Sequence, residues 1–317
     1  MSDRVATVVL NYLHADDTIR CIASVQKSQY VNCSIVVVDN GSGSDVMREL
    51  QERLDPVVPV IDAGENLGYA AGNNLGIRKV LAEGADLVWL LNPDTVVEPD
   101  TLGRMAAVMR RYPQVGIVGT RILNGASEPP SILFNGGIID WVNGGAVSHA
   151  DIGLRHADVP SDGVTPVDYV TGASMLVRRH VFDQIGLIPE DYFLYFEETD
   201  FCTKARSAGW INAVDTGTFL WHYKRSSNRL PAPYYVYYYC RGRLLFHRRF
   251  VSDISDDLPD DLSQFIEAWR RKVERNAPDW LDSYNRLVSW AIEDGFSGVR
   301  GRRDDIAQIR PAATITS

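Results

Sequence analysis

Short apolar, β-branched runs alternate with helical patterns through the first third of the chain, and this alternation limits what the chain can fold into more than any other feature. Val5-Ala6-Thr7-Val8-Val9-Leu10 is continuous and short, as expected of a strand buried on both faces. Asp16 and Asp17 stand at an N-cap position ahead of Ile19, Ile22 and Val25, which recur at helical spacing. Ile35-Val36-Val37-Val38 reads as a second strand, stopped by Asp39-Asn40-Gly41-Ser42-Gly43. Val57 to Ile61 predicts a strand, Ala70 to Leu81 a helix, and Leu87-Val88-Trp89-Leu90-Leu91 a strand closed by Asn92-Pro93-Asp94. A helix from about Asp100 to Arg111 and a strand from Val115 to Val118 follow. The pattern predicts an α/β fold with a mostly parallel, Rossmann-like sheet flanked by helices. Ligands of such sheets lie beyond the carboxyl ends of the strands, where both Asp39 and Asp94 fall.

The 317 residues carry 32 Lys and Arg against 41 Asp and Glu, a net charge of -9. At roughly 150 residues per domain this is one large domain with a smaller appendage. With 45% hydrophobic residues the chain can bury a large core, which excludes disorder as a whole-chain description. The net acidity argues against wholesale nucleic-acid binding. No apolar run approaches the ~18 to 20 residues that span a bilayer, and Met1-Ser2-Asp3-Arg4-Val5 lacks a signal-peptide layout, so a cytoplasmic location is expected. Cys21, Cys33, Cys202 and Cys240 are scattered and read as buried thiols. Gly125 to Pro166 predicts irregular structure or short hairpins, Ser174 to Val177 a strand, and Arg179 the start of a helix. Two helical patterns, which include Phe265, Trp269 and Val273, run from about Leu258 to Asp294. The expected division is residues 1–230 and an aromatic, basic and helical extension, 231–317, packed on them.

Chemistry concentrates in a few places. Asp39 closes a strand ahead of a turn, which predicts an exposed carboxylate that accepts hydrogen bonds from a nucleobase or ribose; an Asx turn is the alternative. Glu65-Asn66-Leu67-Gly68-Tyr69-Ala70-Ala71-Gly72-Asn73-Asn74 gathers small residues and amides at a loop-to-helix junction. Gly68 and Gly72 either let backbone approach an anionic ligand or let the helix pack closely on the sheet. In Asn92-Pro93-Asp94-Thr95, proline stiffens the turn that presents Asp94, an oxygen donor suited to a hard divalent cation, or else the turn merely caps the next helix. Tyr195-Phe196-Glu197-Glu198-Thr199-Asp200-Phe201 sets three carboxylates among aromatics. Crowded charge and apolar neighbours favour a general base, with Glu198 first and Glu197 second, whereas Asp200 best fits a helix-start role. His222 ends an apolar run before Lys224 and Arg225, cations suited to phosphate; a structural histidine is the plainer reading.

Taken in order, a first strand ending near Asn11, Asp39-Asn40-Gly41-Ser42, the Asn66 to Asn73 loop, Asn92-Pro93-Asp94 and Phe196-Glu197-Glu198-Thr199-Asp200 resemble family 2 glycosyltransferases of the GT-A fold, particularly their bacterial rhamnosyltransferase-like branch. The resemblance covers about Val5 to Arg249. It implies inverting sugar transfer from a nucleotide-diphosphate donor, with dTDP-L-rhamnose first and UDP-hexoses next, to a hydroxyl of a glycan or lipid-linked glycan in cell-surface polysaccharide biosynthesis. It also implies that Asp39 contacts the nucleotide and that Asn11, Asn66, Gly68, Gly72, Asn73 and Asn92 line the donor site. Asp94 and His222 would then hold Mg2+ or Mn2+, Glu198 or Glu197 would act as base, and Lys224 or Arg225 would neutralise the diphosphate. Asn92 stands where the family's metal motif has its first acid. Only the resemblance brings Asp94 and Glu198 together, since they lie far apart in sequence.

Tyr234, Tyr235 and Tyr237 to Tyr239 lead into Arg241, Arg243, Arg248 and Arg249, a run that could contact anionic lipid at the inner membrane face. The plainer reading covers the core with the tyrosines and pairs the arginines with Asp253, Asp256 and Asp257. Oligomeric state stays open. A noncatalytic nucleotide-sugar or glycan-binding protein of the same fold is a rival reading. A dinucleotide-dependent dehydrogenase is disfavoured because Asn11-Tyr12-Leu13-His14 lacks Gly-x-Gly-x-x-Gly, and no P-loop motif occurs.

Overall fold

The computed structural model describes residues 2–161, 163–223, 230–251 and 257–310. They form two compact units that interleave along the chain: Met1–Ile138, Ser148–Pro189 and Glu198–Arg225 in the first, Ile139–Val147, Glu190–Glu197 and Ser226–Ser317 in the second. Two segments N-terminal to residue 230 thus group with the C-terminal helices, whereas the sequence pattern suggested a single cut at 230.

The chain opens with β1 (Val5–Asn11), α1 (Ala15–Val25), β2 (Cys33–Asp39), α2 (Ser44–Arg53), β3 (Val60–Asp62), α3 (Gly68–Ala82) and β4 (Leu87–Leu91). Every residue of β1 and β4 is buried, as parallel strands covered on both faces require. Asp16 and Asp17 lie inside the first turn of α1, and the exposed Val57 precedes β3 instead of starting it. Next come β5 (Thr95–Val97), α4 (Thr101–Arg111), β6 (Val115–Asn124), β7 (Ile132–Phe134), β8 (Gly137–Asp140), β9 (Ala146–His149), β10 (Val164–Val167), β11 (Ser174–Arg178), α5 (Arg179–Ile185), α6 (Glu197–Ser207) and β12 (Ile211–His222).

The main sheet runs β10-β12-β6-β11-β4-β1-β2-β3, with β5 on β12 and β7 on β6. β4, β1, β2 and β3 are parallel, as are β6 and β12. β11 lies between these groups and is antiparallel to both β4 and β6. Two reversals therefore cancel, so β1, β2, β4 and β12 all point their carboxyl ends to the same edge. Helix α3 packs tightly on that sheet because Gly72 and Gly76 face it: a Cβ at Gly72 would stand 2.6 Å from Leu10 Cδ1, and one at Gly76 2.5 Å from Val8 Cγ1. Asn74 fastens the helix further, donating from Nδ2 to Ile188 O at 2.8 Å.

The second unit holds α7 (Pro233–Phe250), α8 (Asp260–Asn276) and α9 (Leu281–Ser297), closed around Tyr237, Leu244, Tyr284 and Leu287. Burying each such side chain contributes about 1.5–3 kcal/mol. Much of the tyrosine and arginine run is internal to this unit, while Tyr234 is 51% exposed. Tyr237, Tyr238, Arg241 and Arg243 are buried; Arg243 donates twice to Asp261, at 2.8 Å each, and Arg249 pairs with Asp191. Arg241 donates to Tyr192 O at 2.7 Å and Gly301 O at 2.6 Å. Among the described residues Asp261 and Asp191 pair with Arg243 and Arg249; Asp253 and Asp256, two of the acids suggested by sequence, lie outside the described residues. Among the described residues no helix is long and apolar enough to cross a membrane.

Candidate active site

Parallel strands bring Asn11, Asp39 and Asp94 to the carboxyl edge, because Asn11 pairs in register with Asp39 and Asp94 follows β4. His222 arrives there at the end of β12, paired with Thr95 of β5. Asp94 Oδ1 and His222 Nε2 are 2.8 Å apart, with the histidine side chain 6% exposed and the aspartate 31%. Tyr223 N donates to Asp94 O at 2.9 Å, and Thr95 Oγ1 to Asn92 O at 2.7 Å, so both ends of the turn are tied. Cys21 lies beneath it, 3.5 Å from Asn92 O, and burial pushes its thiol up to about 12. Among the described residues no third His, Cys, Asp or Glu joins this pair as a cluster able to hold a metal.

Asp39 departs from expectation. Its carboxylate is not exposed: the residue is 1% accessible, accepting from Asn11 Nδ2 at 2.6 Å and Ser42 Oγ at 2.6 Å on Oδ1, and from Ser42 N at 2.9 Å on Oδ2. A carboxylate can be buried here because these donors replace its water. Asn40, also buried, holds the following loop, donating to Asn66 Oδ1 at 3.1 Å and Gly68 O at 3.2 Å and accepting from Leu67 N at 3.0 Å. Gly41, at φ 76°, lies so close to Glu65 that any Cβ would run into its backbone. The close-packing alternative therefore holds for Gly72, whose Cα faces Leu10, while Gly68 keeps a positive φ of 84° at the loop. Asn73 is 1% exposed and donates to Tyr69 O of its own helix at 2.9 Å. Lys224 and Arg225 lie outside the described residues.

Glu197 and Glu198 open α6, the first 3% exposed and the second partly exposed. Asp200 pairs with Lys204 at 2.9 Å one turn along the helix. A short segment, Val170 to Ala173, ties this helix to the Asp94 turn: Val170 N donates to Cys202 Sγ at 3.4 Å, and Asn92 N to Ala173 O at 3.1 Å. Tyr69 joins the same segment through its hydroxyl, 2.7 Å from Gly172 O. Three Cα steps of about 3.8 Å separate the two anchors, and Glu198 sits one helical turn before Cys202. Sequence reasoning missed this hub and Asn40; Thr171-Gly172 ahead of an apolar strand was the available signal.

With a sheet of this order and an Asp–His pair at its carboxyl edge, the fold is the GT-A fold of glycosyltransferases. Residues 5–136 match the family described as Glycosyl transferase family 2. It is 29% identical over 296 residues to the low-salt glycan biosynthesis hexosyltransferase Agl10 of Haloferax volcanii, covering 88% of this chain and 89% of that protein. It is 26% identical over 260 residues to the N-acetylglucosaminyl-diphospho-decaprenol L-rhamnosyltransferase of Mycobacterium tuberculosis, with 73% and 80% covered. The solved structure of GalNAc-T7 with UDP, GalNAc and Mn2+ superposes with a TM-score of 0.57 at 14% identity; 89% of this chain spans 57% of that one.

Proposed function

We propose that the protein moves L-rhamnose from dTDP-L-rhamnose to a hydroxyl of a glycan or lipid-linked glycan, inverting the anomeric carbon. The observation that supports this reading is that the segment Val170 to Ala173 hydrogen-bonds both to α6, whose first turn bears Glu198, and to the turn that carries the Asp94–His222 pair. The rhamnosyl donor is favoured by the mycobacterial relative's name, and a UDP-hexose remains the second reading because the haloarchaeal relative is a hexosyltransferase. Asp94 Oδ1 and His222 Nε2 offer an oxygen and an imidazole at one point, a donor set that suits Mg2+ or Mn2+ when diphosphate oxygens complete the shell. The neighbour solved with Mn2+ supports this. Such a cation, when bound, neutralises charge on the departing diphosphate.

Glu198 takes the proton of the acceptor hydroxyl. The freed oxygen electron pair forms the bond to the anomeric carbon as the bond to the diphosphate oxygen breaks, its pair leaving with the nucleoside diphosphate. A single displacement inverts the carbon. Asp39 contributes by fixing Asn11 and Ser42 at the wall of the nucleotide subsite, and the loop from Asn66 to Gly68 continues that wall; Asn92 lies beside it. Lys224 and Arg225 are proposed to meet the diphosphate. A lipid-linked acceptor would set the reaction at the cytoplasmic face of the cell membrane.

The test incubates purified protein with Mn2+ or Mg2+, an acceptor extract and a panel of nucleotide sugars, and identifies the nucleoside diphosphate released. Release of dTDP from dTDP-L-rhamnose supports the proposal. UDP from UDP-hexoses would move the donor to the second reading, and silence with every donor from folded protein would favour the noncatalytic binding role.

A further inference from the structure

β12 ends at His222, which pairs on one side with Thr95 at the start of β5 and on the other with Asn124 at the end of β6. The pairing stops there on both sides, and the ends of strands fray unless something pins them. One peptide unit does so here. Its carbonyl, His222 O, accepts from Gly125 N at 3.0 Å, and its N–H, on Tyr223, donates to Asp94 O at 2.9 Å. The same peptide therefore ties the backbone of Asp94 to the strand end whose imidazole lies 2.8 Å from the Asp94 carboxylate. The Tyr223 side chain secures this joint. Its ring lies so close over Gly125 that a Cβ there would stand 2.6 Å from Cδ1 and Cε1, and the guanidinium of Arg20, from α1, lies over the same ring at 5.1 Å from the centroid. Arg20 is itself held by Asp17 at 2.8 Å. All of these residues belong to the first compact unit.

Tyr223 is 38% exposed, so its ring seals no core; what it fixes is the stretch of chain that carries His222. We propose that Tyr223 and Gly125 are positioning residues for the Asp94–His222 pair: the ring seated on Gly125 holds the end of β12, and with it the imidazole, against Asp94 so that both side chains can meet one divalent cation. The inference rests on that pair being the metal site. Neither Tyr223 nor Gly125 touches substrate or cation in this account. Any side chain at 125 displaces the ring from its seat, and truncation at 223 removes it. Groups that fix the orientation of a ligating histidine change metal affinity by about 10- to 100-fold when they are lost.

Calorimetric titration of dTDP and, separately, UDP at stepped Mn2+ concentrations gives the Mn2+ concentration for half-maximal nucleotide binding with no transfer step involved, and thermal unfolding checks folding. The variants are Tyr223→Ala, Tyr223→Phe, Gly125→Ala, His222→Ala, and Tyr223→Ala combined with His222→Ala. Tyr223→Ala and Gly125→Ala should raise the Mn2+ requirement by about 10- to 100-fold, and Tyr223→Phe, which keeps the ring, should stay within about twofold of wild type. With His222 already replaced, Tyr223→Ala should add little, since both act through one imidazole. An unchanged Mn2+ requirement in Tyr223→Ala while His222→Ala raises it, or an equal loss with and without His222, would overturn the positioning role and leave the metal pair standing. A wild-type Mn2+ requirement in His222→Ala, or nucleotide binding by the wild type that is absent or indifferent to Mn2+, would sink the metal reading and this inference with it. Should Gly125→Ala not fold, Tyr223→Ala against Tyr223→Phe decides by the same split.

Discussion

Glu198 is partly exposed, with its Oε2 enclosed, while the adjacent Glu197 is 3% exposed, and of these two neighbouring carboxylates Glu198 is the one proposed to meet a substrate hydroxyl. Glu198→Gln keeps the shape and removes the basicity, and should lower transfer by about 100-fold or more with donor affinity retained. Initial rates and donor titration check this; an active variant would place the base elsewhere. The types of residue at the site were legible in sequence because carboxylates and amides after apolar strands are unusual there. Their exposure was not. Asp39 is buried because Asn11, 28 residues away, donates to it, and no local pattern announces such a partner. Cys33 is likewise only partly buried, whereas Cys21, Cys202 and Cys240 are fully enclosed.

At the scale of elements, the parallel half of the sheet was readable because strands buried on both faces are continuous apolar runs. The antiparallel insertion of β11 was not, since five buried apolar residues look alike in either direction. β5 has three residues and falls below any periodicity, and the buried polar residues of β12, among them Asn212, Asp215 and Thr218, break the pattern that would reveal a twelve-residue strand. The loop between β3 and α3 depends on a side chain from a different element, Asn40. Asn40→Ala removes both a donor and an acceptor from buried groups and should cost about 1–3 kcal/mol, read as a lower urea midpoint at unchanged slope. A midpoint equal to wild type would show that Gly41 and the backbone alone hold the loop.

Across the whole molecule, several buried groups hold their protons far above their ordinary range. Burial pushes the Cys21 and Cys202 thiols from 9.0 to about 12, and the Tyr235 and Tyr237 hydroxyls from 10.0 to about 12, with Asp294 adding to the shift at Tyr237. The folded chain keeps these protons when the unfolded chain has released them. Unfolding therefore releases protons above pH ~9, and stability that is complete below that pH falls as pH rises toward 12, by about 1.4 kcal/mol per group per unit at the steepest. Melting temperatures should decline steadily between pH ~9 and ~11; a flat profile would contradict the burial described.

The proposed division of roles between Asp94 and Glu198 is tested most directly by titration of donor with Mn2+ into wild type, Asp94→Ala and Glu198→Gln, with transfer measured on the same samples. Asp94→Ala should lose metal-dependent donor binding and transfer together, and Glu198→Gln should bind donor as wild type does yet fail to transfer it. Donor binding to Asp94→Ala that responds to Mn2+ as wild type does, or loss of donor binding in Glu198→Gln, would contradict the division of roles.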